Sequence, residues 1–142
     1  MGYDIKNLHG YDISEIAVEK AKKQGLQVST ELEYDTYLIS FDYIIDNECF
    51  VCLSEKELLN IFRICVAVLQ TDGVLFSTWF GNNAREWSKT GLSFNEASSI
   101  IEEYFNYSIV GSMHRVYYNP PTDIQEITWI GALTPETLEV KL

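Results

Sequence analysis

Two stretches of this chain end a run of strand-like residues on an acidic side chain, and chemistry is most readily placed there. The first is His9-Gly10-Tyr11-Asp12-Ile13-Ser14. A carboxylate at the carboxyl end of a strand, just before a helix, accepts two O–H donors at once. Nucleotide-binding α/β folds hold the two ribose hydroxyls in this way. Asp12 equally suits a structural task, capping the helix that Ser14 begins, and spacing leaves both roles open. The second stretch is Phe41-Asp42-Tyr43-Ile44-Ile45-Asp46, followed by Asn47 and Glu48. Cys49-Phe50-Val51-Cys52 comes next. A zinc ribbon needs a second such pair, and the chain has 3 cysteines in all, so partly buried thiols fit better than a metal site. His9 and His114 read as structural, and Asn119-Pro120-Pro121-Thr122 as a turn. No catalytic side chain and no metal ligand is assigned.

The elements that must position these residues alternate. Asn7–Ile13 reads as a short strand, and Ser14 caps a helix to Gln24 that stops at Gly25. Ile13, Ala17 and Ala21 give that helix a narrow apolar stripe. Leu26–Ser29 is a second strand, and Thr30–Ser40 a polar, acidic connection. Phe41–Ile45 reads as a central parallel strand, apolar on both faces apart from Asp42. Ser54-Glu55-Lys56-Glu57 is a capping box, opening a helix to about Leu69. Thr71-Asp72-Gly73 reads as a turn, Val74–Thr78 as a strand and Trp79–Leu92 as a loop. Ser93-Phe94-Asn95-Glu96 is a second capping box, with a helix to about Phe105. Tyr107–Tyr118 and Ile124–Thr134 are two long strands of a closing hairpin. The order is that of an α/β sheet ending in an antiparallel pair.

Composition narrows the partners. The 142 residues allow one domain, and 46% hydrophobic with 22% charged residues is ordinary globular usage. Lys and Arg total 10 against 21 Asp and Glu, a net charge of −11. Nucleic-acid binding needs a basic stripe, and none is present, so nucleic acid and anionic membranes are disfavoured. No apolar run approaches the roughly 20 residues of a membrane helix. The opening residues match neither a signal nor a transit peptide, which makes a cytoplasmic protein the default.

In sum these motifs resemble the class I S-adenosylmethionine-dependent methyltransferases, especially the small-molecule enzymes of the thiopurine and tellurite-resistance type. Gly10–Ser14 with Ala17, Glu19 and Ala21 is similar to that family's second strand and helix. Phe41–Asp46 is similar to its fourth strand, and Thr71-Asp72-Gly73-Val74-Leu75 to the approach to its fifth. The match runs in order over about residues 2–134. It implies a Rossmann-like α/β methyltransferase sheet with a C-terminal antiparallel hairpin, S-adenosylmethionine as cofactor and a small-molecule acceptor. It implies cofactor contacts at Asp12 and Ile13, at Glu31 or Asp35 for the adenine amino group, and at Asp46. Asn47, Trp79 and Phe80 fall where the substrate would sit. Aromatic faces hold cations, so Trp79 and Phe80 suit the sulfonium, although core or lid packing suits them as well. Cys52 or Leu53 stands near the place where some relatives have a histidine, so no general base is carried over.

One departure is large. The family's glycine-rich loop precedes the acidic residue by roughly 20 residues, which here falls before Met1. The expectation is a chain truncated at its N-terminus, starting after the family's first strand and first helix. Cofactor binding would then be weak or absent. The inner edges at Asn7–Ile13 and Phe41–Ile45 would lack the strand between them, while the family's carboxyl-edge layout is expected to persist. A homodimer through such edges is expected. The alternative reading is a non-catalytic, methyltransferase-derived interaction module or oligomerising subunit.

Overall fold

The computed structural model describes residues 4–31, 40–80, 91–116 and 124–133. The chain divides into two compact units, Met1–Leu38 and Ile39–Leu142.

In the first unit, a 3-10 turn at Ile5–Asn7 leads into β1 (His9–Tyr11), followed by α1 (Glu15–Lys23) and β2 (Gln27–Ser29). β1 and β2 pair in parallel, His9 opposite Gln27 and Tyr11 opposite Ser29. Ser14 caps α1 by accepting the Ala17 amide at 3.3 Å. The helix ends where the sequence places its stop. Gly25 takes a φ of +82°, its amide donates to the Lys22 carbonyl, and the Leu26 amide donates to that of Ala21. This is the Schellman pattern, whose left-handed residue favours glycine. The buried residue of α1 is Val18, at 5% exposure, with Ala17 and Ala21 half-buried beside it. Ile13, expected on that stripe, is 79% exposed.

The second unit holds β3 (Phe41–Asp46), α2 (Glu55–Val68), β4 (Leu69–Phe80), α3 (Phe94–Tyr104), β5 (Asn106–Val116) and β6 (Ile124–Leu133). Its sheet has the order β3-β4-β6-β5. β3 and β4 are parallel, while β6 runs antiparallel to both β4 and β5. The expected C-terminal antiparallel hairpin is therefore present. Its tip, including Asn119–Asp123, lies outside the described residues. Both capping boxes form. The Glu57 carboxylate accepts the Ser54 amide at 2.9 Å, and the Glu96 carboxylate accepts that of Ser93 at 2.9 Å. Those caps fix where α2 and α3 begin, so their apolar stripes meet the sheet: Leu58, Phe62 and Cys65 from α2, Ala97, Ile100 and Ile101 from α3. Leu75, Trp79, Ile130 and Ala132 complete this core from the strands.

Two expectations about strands are corrected. In the first unit β1 pairs with β2, and in the second β3 pairs with β4 at the end of the four-stranded order. β3 is thus an edge strand among the described residues rather than a central one. Its Tyr43 and Ile45 are 62% and 76% exposed. Apolar residues on both faces mark a strand that could be covered twice, and they do not report whether it is.

The second correction concerns Thr71–Gly73. These residues are not a free turn but part of β4, in a bulged stretch where Phe41 stands opposite Leu69 and Tyr43 opposite Val74. A bulge needs turn-type residues inside a strand, which explains the sequence signal. Gly73 is required there. A Cβ at this position would lie 2.9 Å from Leu69 Cδ2 and 3.0 Å from the Gln70 backbone nitrogen and oxygen. Gly73→Ala is therefore expected to cost about 1–3 kcal/mol, because backbone must move to admit the methyl group. Urea denaturation with an unchanged midpoint would refute this.

Candidate functional site

The sequence-named residues fall at the carboxyl ends of β1 and β3–β4, one group in each unit. In the first unit Asp12 follows β1 and is exposed. Its Oδ1 accepts the Ser14 amide at 2.8 Å, so the carboxylate bridges the turn between strand and helix. Ser14, not Asp12, is the N-cap of the helix, and the Asp12 bond to the turn occupies one oxygen. A carboxylate offers about four acceptor positions, and among the described residues no donor meets Oδ2. Asp12 is therefore held in orientation by the backbone while retaining capacity for two hydroxyl donors. That is what a ribose diol would require of it. Glu31 follows β2 and is exposed, its amide donating to Ser29 Oγ at 3.1 Å. Asp35 lies outside the described residues.

In the second unit Asp46 ends β3 with only 5% exposure. Its Oδ1 accepts the amides of Cys49 at 3.0 Å and Phe50 at 3.1 Å. Its Oδ2 accepts the Ser77 hydroxyl from the neighbouring β4, where Asp46 and Ser77 are register partners. Its carbonyl accepts the Thr78 hydroxyl at 3.4 Å. The chain turns back to deliver those amides through Glu48, whose φ of 61° is uncommon for a residue with a side chain. Burial pushes the Asp46 carboxyl above its ordinary range, against the opposing pull of the Ser77 hydroxyl and the Phe50 and Cys49 amides.

Asn47 is exposed beside this cluster. Trp79 and Phe80 are not loop residues. They end β4 at 0% and 6% exposure, with the Trp79 ring 6.5 Å from that of Phe50. Both belong to the core cluster, so they form a wall behind the strand ends rather than an open aromatic face. The Trp79 indole N–H is buried without a hydrogen-bond partner among the described residues. Sequence reasoning missed Ser77 and Thr78. The available signal was two adjacent hydroxyl residues ending an otherwise apolar strand, opposite the acidic end of β3.

Cys52 and Cys65 offer little reactivity. Cys52 is exposed, its thiol facing the Glu48 carbonyl at 3.7 Å. Partial burial, with the nearby Asp46 and Glu48 charges, raises its pKa. Burial pushes Cys65 up to about 12. Thiols so raised are poor nucleophiles. Among the described residues no three His, Cys, Asp or Glu side chains converge to hold a metal ion, and no helix is long and apolar enough to cross a membrane.

No family model matches the chain, and no curated protein matches it in sequence. Solved structures do match its fold. The N-methyltransferase NodS of Bradyrhizobium japonicum WM9, in complex with S-adenosylhomocysteine, superposes with a TM-score of 0.69 at 15% identity. That match covers 92% of this chain and 68% of NodS. TehB of Haemophilus influenzae gives 0.57 at 15% identity, covering 96% of this chain and 51% of TehB. The Burkholderia thailandensis 1,6-didemethyltoxoflavin-N1-methyltransferase, with 1,6-didemethyltoxoflavin and S-adenosylhomocysteine bound, gives 0.56 at 13%, covering 91% of this chain and 62% of that enzyme. This chain carries the Rossmann-like α/β fold of the class I S-adenosylmethionine-dependent methyltransferases.

Proposed function

We propose that the chain is a methyltransferase-type domain whose cofactor is S-adenosylmethionine and whose acceptor is a small molecule. The observation that carries this is Asp12, placed at the end of β1 and oriented by the Ser14 amide with acceptor capacity to spare. The cofactor supplies an electrophilic methyl group, and its transfer needs alignment more than acid–base help. Asp12 and the adjoining Ile13 backbone would hold the ribose, and Glu31 or Asp35 would receive the adenine amino group. Asp46 and Asn47 are assigned to the strand end of the second unit, where the buried Asp46 orders the turn and Asn47 is open to a ligand. Trp79 and Phe80 back that turn from the core. The net charge of −11 favours an uncharged or cationic acceptor over a polyanion.

The test is a calorimetric titration with S-adenosylhomocysteine. The wild-type chain is expected to bind weakly, above the low-micromolar range. Asp12→Ala is expected to weaken binding roughly 10- to 150-fold, since hydrogen bonds to a charged acceptor contribute about 1.5–3 kcal/mol. Identical titrations for the two proteins would sink this reading.

A second reading, an oligomerising subunit that forms a homodimer, is favoured by a separate observation. Two apolar side chains on one face of β3, Tyr43 and Ile45, are 62% and 76% exposed.

A further inference from the structure

The four-stranded sheet has one side packed by helices and another that carries exposed apolar side chains. Ile44, Asp46, Leu75, Ser77 and Ile130 point to the side packed by α2 and α3. Tyr43 and Ile45 alternate to the other side. There Ile45 stands opposite Phe76, and Phe76 opposite Gly131. A Cβ on Gly131 would lie 3.3 Å from Val110 Cγ1, so Val110 adjoins this row from β5. Tyr43 stacks on Phe76 with ring centroids 6.4 Å apart. Met113 stands opposite Ile127, which alternates to the same side as Gly131. Tyr43, Ile45, Phe76, Val110 and Met113 thus share one side of the sheet, and they are 62%, 76%, 40%, 59% and 46% exposed.

This side also lacks charge. Within 41–46, 74–80, 106–113 and 127–131 the charged residues are Asp42 and Asp46, and both alternate to the helix side. The chain as a whole carries 21 Asp and Glu and a net charge of −11. A sheet face left to water carries polar residues in alternation with the apolar ones beneath it. Contiguous exposed apolar surface without charge marks an interaction site instead.

We infer that a second copy of the same chain covers this side, the two sheets packing face to face about a two-fold axis. This rests on the oligomeric reading above and not on cofactor binding. A two-fold makes the patch its own partner, since one surface serves both copies. Charge argues for that occupant. Copies carrying −11 repel, and they meet most closely where the charge is absent. A basic partner would be drawn to the acidic surfaces and not to this one. The area is sufficient as well. The five exposed fractions amount to just under three whole side chains. At about 150–250 Å² for a large side chain, that is roughly 400–700 Å² per copy. Two copies would bury about 800–1,400 Å², around the ~1,000 Å² that a specific interface requires and at the weak end of the range. Packed sheets lie about 10 Å apart, a gap that side chains of this size fill. Backbone pairing at the strand edges plays no part in this arrangement.

Sedimentation velocity on the full chain is the test. The expected species at tens of micromolar is a dimer of twice 16.3 kDa, in exchange with monomer. Val110 and Ile109 supply a matched pair of variants. They are adjacent on β5 and equally exposed at 59%, but Ile109 stands opposite Ile130 on the helix side. Val110→Lys is expected to weaken the dimer at least about 100-fold, because symmetry buries each new ammonium twice. Ile109→Lys adds the same charge and is expected to leave the dimer within about twofold of wild type. Ile45→Lys, on β3, is expected to act as Val110→Lys does. Thermal melts of the three monomers are expected to stay close to that of wild type, because each side chain is exposed. A monomeric mass at every concentration overturns both this inference and the oligomeric reading. A dimer that survives Val110→Lys and Ile45→Lys, or one that Ile109→Lys weakens equally, overturns the inference and leaves that reading standing. Neither outcome involves cofactor, so the Asp12→Ala titration stands or falls separately.

Discussion

Phe62→Ala is expected to lower the thermal midpoint by roughly 10–20 °C, through a loss of about 3–5 kcal/mol. The size of the effect follows from where one ring sits. Phe62 is 1% exposed near the middle of α2. It meets Phe50 edge-on at 5.7 Å and Phe105 edge-on at 5.3 Å, with Tyr104 tilted at 5.9 Å. These partners come from the turn after β3 and from the end of α3, so one side chain joins three elements. Truncation removes the buried area, leaves a cavity and abandons three aromatic contacts, each with its own preference for edge geometry. A domain of this size holds about 5–15 kcal/mol in all, so about a fifth or more of its stability is at stake. Ile45→Ala is the control. It deletes a large apolar group from a site 76% exposed and is expected to change stability by about 0.5 kcal/mol or less. Circular dichroism melts of the two variants, at a concentration where the chain is monomeric, check both. Comparable losses would mean that Ile45 is covered, contrary to its exposure.

What the sequence disclosed and what it hid divide along a physical line. Both capping boxes were legible because each is a contact between residues three apart, Ser54 with Glu57 and Ser93 with Glu96. The stop of α1 was legible for the same reason, since Gly25 answers to the helix beside it. The closing antiparallel pair was legible from two long strands flanking a proline turn. Burial was not legible, because it is set by elements far apart in the chain. Phe41–Asp46 is equally apolar whether it lies inside a sheet or at its end, and among the described residues it ends the four-stranded order. Trp79 and Phe80 follow a strand and precede glycine and asparagine, which reads as a loop. Packing from Phe50 and the rest of the core makes them strand residues with no open face. Val18 was passed over because an alanine stripe was the more regular pattern. At the candidate site the positions of Asp12 and Asp46 were readable, since acids ending strands are a local feature. Their different environments were not. One takes a single backbone amide and faces solvent, while the other is enclosed by a hydroxyl 31 residues away.

That enclosure gives the second large prediction, in which two substitutions at one position have opposite signs. Asp46→Ala is expected to cost about 2–4 kcal/mol, because the Cys49 amide, the Phe50 amide and the Ser77 hydroxyl all lose their acceptor where little water can replace it. Asp46→Asn is expected to be neutral or mildly stabilising at pH 7. The asparagine oxygen can still accept both amides, and its NH2 can donate to Ser77 Oγ, while the charge that burial penalises is gone. The pH dependence follows from the same cause. Burial raises the Asp46 carboxyl above its ordinary 3.8, so the folded chain binds this proton more tightly than the unfolded chain. The stability contributed by the proton is present in full below 3.8 and is lost as pH rises through the higher folded value. Asp46→Asn removes that loss. Its advantage over wild type should therefore be largest at neutral pH and shrink as the pH falls towards 4, an ordering that chemical denaturation at several pH values would reveal. Should Asn and Ala prove equally damaging at pH 7, the negative charge itself would be what the turn after β3 requires, and the hydrogen-bond account of Asp46 would fall.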